Sequence, residues 1–404
     1  MNQPDKKTSE YISRPPSYYV WKRLKRNTLA LLGMAVIGVA VCISLLGYLI
    51  VPDSSPDANA MSVTLSTKKP GFAVDLLKIR KNQDAIQHHW WNTLLVGAEP
   101  DYLYMPITDF HFQDEFVLVT EYGGEQKKIV LPNLYHSLSL SNPDIRIEKD
   151  SLRFTDYNGV RQCSSLIAMR SELKNQCIEH RVFLCGTDRF GRDQFSRLMI
   201  GTRISLAVGL IAVIISVILG VLLGALAGFF RGRTDSLILW LINVVWSIPT
   251  LLLVIAITLA LGKGFWQVFV AVGLTMWVDV ARIVRGQVFA IRELDYIEAG
   301  RAFGFKSMRI IGKHILPNIM GPVIVVSASN FASAILLEAG LSFLGVGAQP
   351  PTPSWGSMIK ENYGYILVDE AYLAMYPGIA ILIMVLAFYL VGNGLRDAFD
   401  AKNN

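Results

Sequence analysis

The sequence predicts a polytopic α-helical membrane protein with six spans and an α+β insertion on the outer face between the first two. Three observations predict it. Apolar runs longer than 18 residues recur along the 404-residue chain, which is 52% hydrophobic and only 17% charged. Runs of that length suit a helix crossing the hydrocarbon layer. Lysine and arginine crowd the ends of several runs, as the positive-inside rule requires of cytoplasmic ends. Between the first two runs, residues 51–199 are soluble in character. The net charge of +6 sits near the membrane ends, so it speaks to topology and not to nucleic acid. No GxxxxGK[ST] phosphate loop occurs, so the chain is not expected to bind and hydrolyse ATP in the usual way. No cofactor and no metal is expected either.

Residues 1–27 form a cytoplasmic segment ending in Lys22, Arg23, Lys25 and Arg26. The first span, 28–50, is too long for a signal peptide and has no clear small-residue cleavage site. Cys42 lies inside it as a small packing residue. In the insertion, 51–199, the segments 115–122, 127–132 and 151–157 read as strands, with Gly123-Gly124 and Asn158-Gly159 as turns. The stretch 75–96 reads as more helical and contains His88, His89, Trp90 and Trp91. The two histidines are a metal-ligand candidate or a solvated pair; no Cys or acidic partner stands at a suitable spacing, which favours the solvated pair. Cys163, Cys177 and Cys185 lie in the outer segment, where disulfides persist. A Cys163–Cys177 pair and free thiols are both open. So few strands bury a small core, so the insertion is expected to lean on the membrane part or a partner.

The membrane core, 200–393, holds five further spans. The second, 202–230, carries Gly220, Gly224 and Gly228, a GxxxGxxxG face for close helix approach. Arg231, Gly232 and Arg233 mark a cytoplasmic turn. The third, 236–261, contains Pro249 as a kink, and Gly262–Gly264 turn outside. The fourth, 265–290, brings Arg282, Arg285 and Arg292 towards the cytoplasm. The fifth and sixth are 317–345 and 371–393, and the tail 394–404 is cytoplasmic like the amino terminus. Charged groups inside spans are functional candidates because desolvating them is costly. Asp279 and Glu338 are therefore candidates for the translocation path. The alternatives are an ion pair of Asp279 with Arg282 and an interfacial or capped carboxylate for Glu338.

The stretch 295–317 is too polar to be membrane and reads as two short helices at a bend. Asp295 offers a cap, and Glu298 suits the positive end of a helix. Ala299, Ala302 and Phe303 give a small apolar face before Gly304 interrupts. Met308, Ile311 and Ile315 fall on one side of the second helix, and Pro317 suits the first turn of the next span. Glu298, Ala299, Gly304, Leu316 and Pro317 match the EAA loop of bacterial ABC-importer permeases; Gly300 stands where that motif has Ala, and His314 where it has Ile. Three further stretches resemble the dipeptide, oligopeptide and nickel branch of the same family. Residues 185–201 carry Thr187, Asp188, Gly191, Arg192, Asp193, Ser196, Arg197 and Gly201 of its GTDxxGRDxxSRLxxG pattern. There Asp188 and Asp193 are candidate partners for the arginines. Residues 338–356 resemble its ExxLSFLGLGxQPPxPSWG signature, with Trp355 expected at the lipid interface. The last span, 376–400, resembles the same branch but for Tyr389 and Asn393. The resemblance covers about residues 15–50 and 185–404 and omits most of the insertion.

The resemblance implies the type I ABC-importer permease fold and the C-type member of a permease pair. It implies import of peptides or related small solutes across the bacterial cytoplasmic membrane. The implied partners are a second homologous permease, two ATPases, an extracytoplasmic solute-binding protein and the lipid bilayer. Glu298, Ala299, Gly300, Ala302, Gly304, Leu316 and Pro317 would then couple the chain to the ATPase. Two other classes stay open at this point. An ion-coupled secondary transporter predicts inverted repeats and several midplane acids. A membrane-anchored receptor would use residues 51–199 as its sensor and leaves the polar bend without a role.

Overall fold

The computed structural model describes residues 16–83, 89–139, 144–148, 150–262 and 264–400. Helix α1 (Pro16–Leu24) precedes α2 (Thr28–Ile50). The Asn27 carboxamide caps α2 by accepting from the Ala30 amide at 3.1 Å. The bounds of α2 are those expected of the first span.

The insertion is built from β1 (Phe72–Arg80), α3 (Trp90–Val96), β2 (Tyr102–Gln113), β3 (Phe116–Glu121), β4 (Gln126–Val130), β5 (Arg146–Glu148), β6 (Ser151–Thr155), β7 (Arg161–Ser165), α4 (Leu166–Gln176) and β8 (Ile178–Phe183). Two antiparallel sheets result, one of five strands ordered β4-β3-β2-β1-β8 and one ordered β5-β6-β7. Side chains alternate across β1, so adjacent leucines serve opposite faces. Leu77 joins Ile107, Val117, Val119, Leu152 of β6, and Met169 and Leu173 of α4 in one apolar core. Leu76 and Val74 pack with Leu65 and Phe183 on the other side. The insertion is thus richer in strands than expected. Strand β1 also corrects the helical reading of 75–96: helix begins only at Trp90. In the run Asp75-Leu76-Leu77-Lys78-Ile79 the adjacent Leu76 and Leu77 are buried on opposite faces, which blurs the strand period. His89 is exposed just before α3, and His88 lies outside the described residues.

The four cysteines are free thiols. Cys177 is buried in the insertion core, its Sγ 3.9 Å from the Leu134 carbonyl, and burial pushes its thiol pKa up. Cys163 is exposed on β7, so the candidate pair does not form.

The remaining helices follow as α5 (Gln194–Phe230), α6 (Gly232–Trp246), α7 (Thr250–Leu261), α8 (Phe265–Arg292), the short α9 (Asp295–Ala302) and α10 (Ser307–Ile310), then α11 (Leu316–Phe343), α12 (Trp355–Asn362) and α13 (Tyr372–Phe399). Among the described residues, five helices are long and apolar enough to cross a membrane, and α6 with α7 makes a sixth if that bent pair is one span. The pair turns through 93°. Pro249 therefore breaks the third span where a kink was expected: it has no N–H to give, and it disfavours helical geometry at Ile248.

The chain divides into two compact units: residues up to Val39 with Ala207–Glu338 and Ile381 onward, and Ala40–Leu206 with Ala339–Ala380. In the first, the glycine face of α5 lies directly on α8. A Cβ on Gly220 would stand 2.5 Å from Val280 Cβ, on Gly224 2.5 Å from the Ala281 carbonyl oxygen, and on Gly228 2.8 Å from Val288 Cβ. Only hydrogen fits there, so the backbones meet.

The second unit brings the 185–201 stretch onto the loop around α12. Asp188 accepts from the Arg192 Nε at 2.6 Å, and Arg192 also reaches Glu361 at 2.5 Å. Arg197 lies 3.8 Å from Asp188 and 3.5 Å from Glu361. Two cations and two anions so cancel, with both arginine side chains 1% exposed. Asp193 does not join them. It caps α5, accepting from the Ser196 amide at 3.1 Å and from the Ser196 hydroxyl. Burial pushes its carboxyl above the usual range. Trp355 is buried, not interfacial: its Nε1 donates to the Leu198 carbonyl at 3.1 Å, and its ring lies on Gly201.

Candidate functional site

Helix α9 starts one residue earlier than a cap at Asp295 would allow. Leu294 occupies the cap position, and Asp295 and Glu298 both lie in the first turn, where the dipole favours anions. Its end is a Schellman motif. The Gly304 amide donates to Arg301 at 2.9 Å and the Phe305 amide to Gly300 at 3.1 Å. Gly304 sits at φ +76° with open space around it, so glycine is required by the backbone and not by a neighbour. Gly300 is different. A Cβ there would touch the Phe305 ring at 3.4 Å, so the Ala of the motif would be an ordinary contact. His314 stacks on the same ring, with centroids 5.9 Å apart and planes 10° apart. Phe305 thus partners His314, and nothing around Gly300 requires glycine over the Ala of the motif.

Ile297 of α9 packs with Ile310, Ile311, Ile315 and Ile319 against Phe229, Val284 and Val288 of α5 and α8. Arg292 donates to the Phe229 carbonyl at 2.5 Å, and the Arg292 and Arg301 guanidiniums lie 5.6 and 5.2 Å from the Phe229 ring centre. The opposite side of α9 is uncovered: Glu298, Ala299, Ala302, Phe303 and Gly304 are exposed, Phe303 by 80%. Met308 is exposed as well, while Ile311 and Ile315 are buried, so the three do not share a face. A wide π-type turn over Ile311–Ile315 follows. That turn leads straight into α11, with Leu316 and Pro317 as its first two residues.

A second constellation lies at the α6–α7 break. Asp279 is midway along α8 and lines a cavity of about 350 Å³ with Trp246, Thr250, Thr275, Asn330 and Ser333. It forms no ion pair with Arg282 among the described residues. Arg282 instead lies over the Trp246 ring, 3.4 Å from its centre. Glu338, by contrast, is 1% exposed within α11. The two acids therefore do not meet in one cavity. The polar groups around Asp279 were not singled out in the sequence, although Thr275 and Asp279, four apart, share a helix face. Among the described residues no group of three or more His, Cys, Asp or Glu is placed to hold a metal.

Residues 220–404 match the family described as binding-protein-dependent transport system inner membrane component. Residues 16–66 match the N-terminal TM domain of oligopeptide transport permease C. The glutathione transport system permease protein GsiD of Pectobacterium atrosepticum is 41% identical over 217 residues, 54% of this chain and 72% of the relative. The chain belongs to this permease family. The permease is also 43% identical over 217 residues to the dipeptide transport system permease protein DppC of Bacillus subtilis, covering 54% of the one and 68% of the other. Half of it aligns with 95% of a chain from inward-facing MetNI, a methionine ABC transporter, at 21% identity and a TM-score of 0.42, a slight likeness. The permease is thus a C-type peptide-permease subunit of an ABC importer with the helical fold of that family. Residues 67–219 lie outside both family matches.

Proposed function

We propose that this permease carries peptides or related small solutes inward across the bacterial cytoplasmic membrane. It works beside a second homologous permease, above two ATPases that alone hydrolyse ATP, and receives cargo from an extracytoplasmic binding protein. The relatives named for glutathione and dipeptide transport support the cargo class. The observation that carries the mechanism is the exposed strip Glu298, Ala299, Ala302, Phe303 and Gly304 on a rigidly seated helix. A partner groove that takes Phe303 would move α9. Ile297 and the Ile310–Ile315 packing would pass the motion to Leu316, Pro317 and α11, a two-state element biased by a partner. This end of the molecule is cytoplasmic: Arg231, Arg292, Arg301, Arg309 and Lys313 gather there. Arg23 donates to the Ala398 and Asp400 carbonyls at 3.4 and 3.3 Å, so both ends of the described chain lie together. Residues 51–199 are then extracytoplasmic, and 394–404 a cytoplasmic tail.

Glu298→Lys and Phe303→Asp should each leave the protein in the membrane and lower ATP-driven uptake by about tenfold or more, the scale of a lost interface hot spot. Co-purification with the ATPase should fall in parallel. Normal uptake and normal association in both variants would remove α9 from the coupling role. For the path, Asp279 is the better placed of the two acids. Asp279→Asn should raise the KM for cargo bearing a free ammonium by about tenfold, the worth of a charge-assisted hydrogen bond. An unchanged KM for ammonium and blocked cargo alike would exclude it.

A further inference from the structure

Helix α3 carries four large apolar side chains that the protein leaves uncovered: Trp90, Trp91, Leu95 and Val96, each more than half exposed. Its docking says what lies around them. Arg203, near the start of α5, donates to the Leu94 and Leu95 carbonyls at 2.9 and 2.5 Å. The same guanidinium donates to the Ser44 and Leu45 carbonyls of α2 at 2.8 and 3.4 Å. Gly97 completes the join at φ +88°. A Cβ there would stand 2.7 Å from the Ser54 carbonyl oxygen and 2.9 Å from the Tyr48 ring. The Ala98 amide donates to Ser54 at 2.9 Å.

These contacts fix the depth of α3. Helix α2 has 23 residues, about 34 Å at 1.5 Å per residue, close to the thickness of the hydrocarbon layer. Ser44 and Leu45 lie five or six residues before its end at Ile50, about 8 Å inside it. Leu45, Leu46, Leu49 and Ile50 of α2 are exposed too, so the apolar surface of α3 continues a surface that faces lipid. The last carbonyls of a helix lack intrahelical donors, and in a bilayer water does not supply them. Arg203 does. The Trp90 and Trp91 rings stack with centroids 3.6 Å apart, and tryptophan is the residue of the headgroup boundary.

We propose that α3 is an in-plane membrane anchor: it lies in the interfacial layer of the leaflet on the insertion's side and ties the strand-rich insertion to lipid. The occupant of its apolar face is the acyl-headgroup boundary, not a helix of the partner permease. The reading of α2 as a span is the part of the proposed function on which this rests; the cargo and the ATPase do not enter.

The test is made on the full-length permease in phosphatidylcholine–phosphatidylglycerol liposomes, with the native cysteines replaced by alanine. A nitroxide is placed by Leu95→Cys and, for reference, by Val160→Cys in the exposed β6–β7 turn. Relative to the reference, the label at 95 should collide severalfold more with oxygen and severalfold less with a water-soluble nickel chelate. The result should be the same for the permease alone and in the assembled importer. Equal nickel access at both positions would put α3 in water and overturn the proposal. Protection from both reagents only in the assembled importer would make the occupant a protein partner, and would overturn it too. Should the cysteine-free chain fail to fold, a diazirine phosphatidylcholine cross-linked to the unaltered protein decides. Adducts within residues 90–96 support the anchor, and adducts on α2 and α5 with none on 90–96 overturn it.

Discussion

The α5–α8 contact and the core of the insertion hold together by opposite means. On α5, Gly220, Gly224 and Gly228 contribute almost no side-chain surface, and backbone meets backbone and the flank of a valine. In the insertion, Leu77, Val117, Val119, Leu152 and Leu173 fill a common volume. Solvent is the reason. Lipid tails are as apolar as leucine, so burying leucine between spans gains little, and close approach gains dispersion. In water the area removed from solvent is itself the driving force. One chain therefore follows two packing rules.

The comparison can be broken at either end. Leu77→Ala should have the largest effect, about 3 kcal/mol lost from the insertion, the usual cost of a cavity in a filled core. Limited proteolysis of the variant should cut within residues 72–183 while the membrane helices stay protected. Equal resistance in the variant and the parent would mean that the leucine core is not what supports the insertion. Gly224→Leu comes next, at about 2 kcal/mol, because overpacking forces helices apart instead of leaving a void. Thermal unfolding in detergent should fall for this variant, with proteolysis of the insertion unchanged. A variant as stable as the parent would show that α5 and α8 slide apart at little cost. The smallest effect sharpens the comparison through pH. Burial first, and the Arg80 charge second, hold the His136 pKa in the insertion below its ordinary value. The unfolded chain, with an ordinary histidine near 6.5, then takes up a proton that the folded one resists. This contribution is present above about pH 6.5 and is lost as pH falls through the lowered value. The insertion should melt at a slightly lower temperature at pH 5.5 than at pH 7.5, and His136→Gln should reduce the difference. The same slope in the variant would assign it to other groups.

The polar bend shows how much of the candidate site was legible. Glu298, Gly304 and Pro317 could be read because each obeys a local rule of helix starts and stops. Phe303 and Met308 could not be placed, since whether an apolar side chain faces in or out depends on what packs opposite. Glu361 stood outside any motif in 185–201, yet it completes the charge balance of Arg192 and Arg197. A partner more than 160 residues away leaves no local trace.

By itself the sequence determined the membrane class, the bounds of α2, the glycine face of α5, the family and the position of the bend. All but the family follow from composition, period and spacing over a few turns of chain; the family follows from the resemblance of the bend and of the stretches 185–201, 338–356 and 376–400. Tertiary structure decided the rest. Strand β1 was hidden because the adjacent Leu76 and Leu77 are buried on opposite faces, which blurs the alternation that marks a strand. The break at Pro249 became a 93° turn, and Arg282 went to Trp246 and not to Asp279. Trp355 went inward because Gly201 left room for its ring. In each case the deciding neighbour is distant in sequence, and its proximity is a property of the folded chain alone.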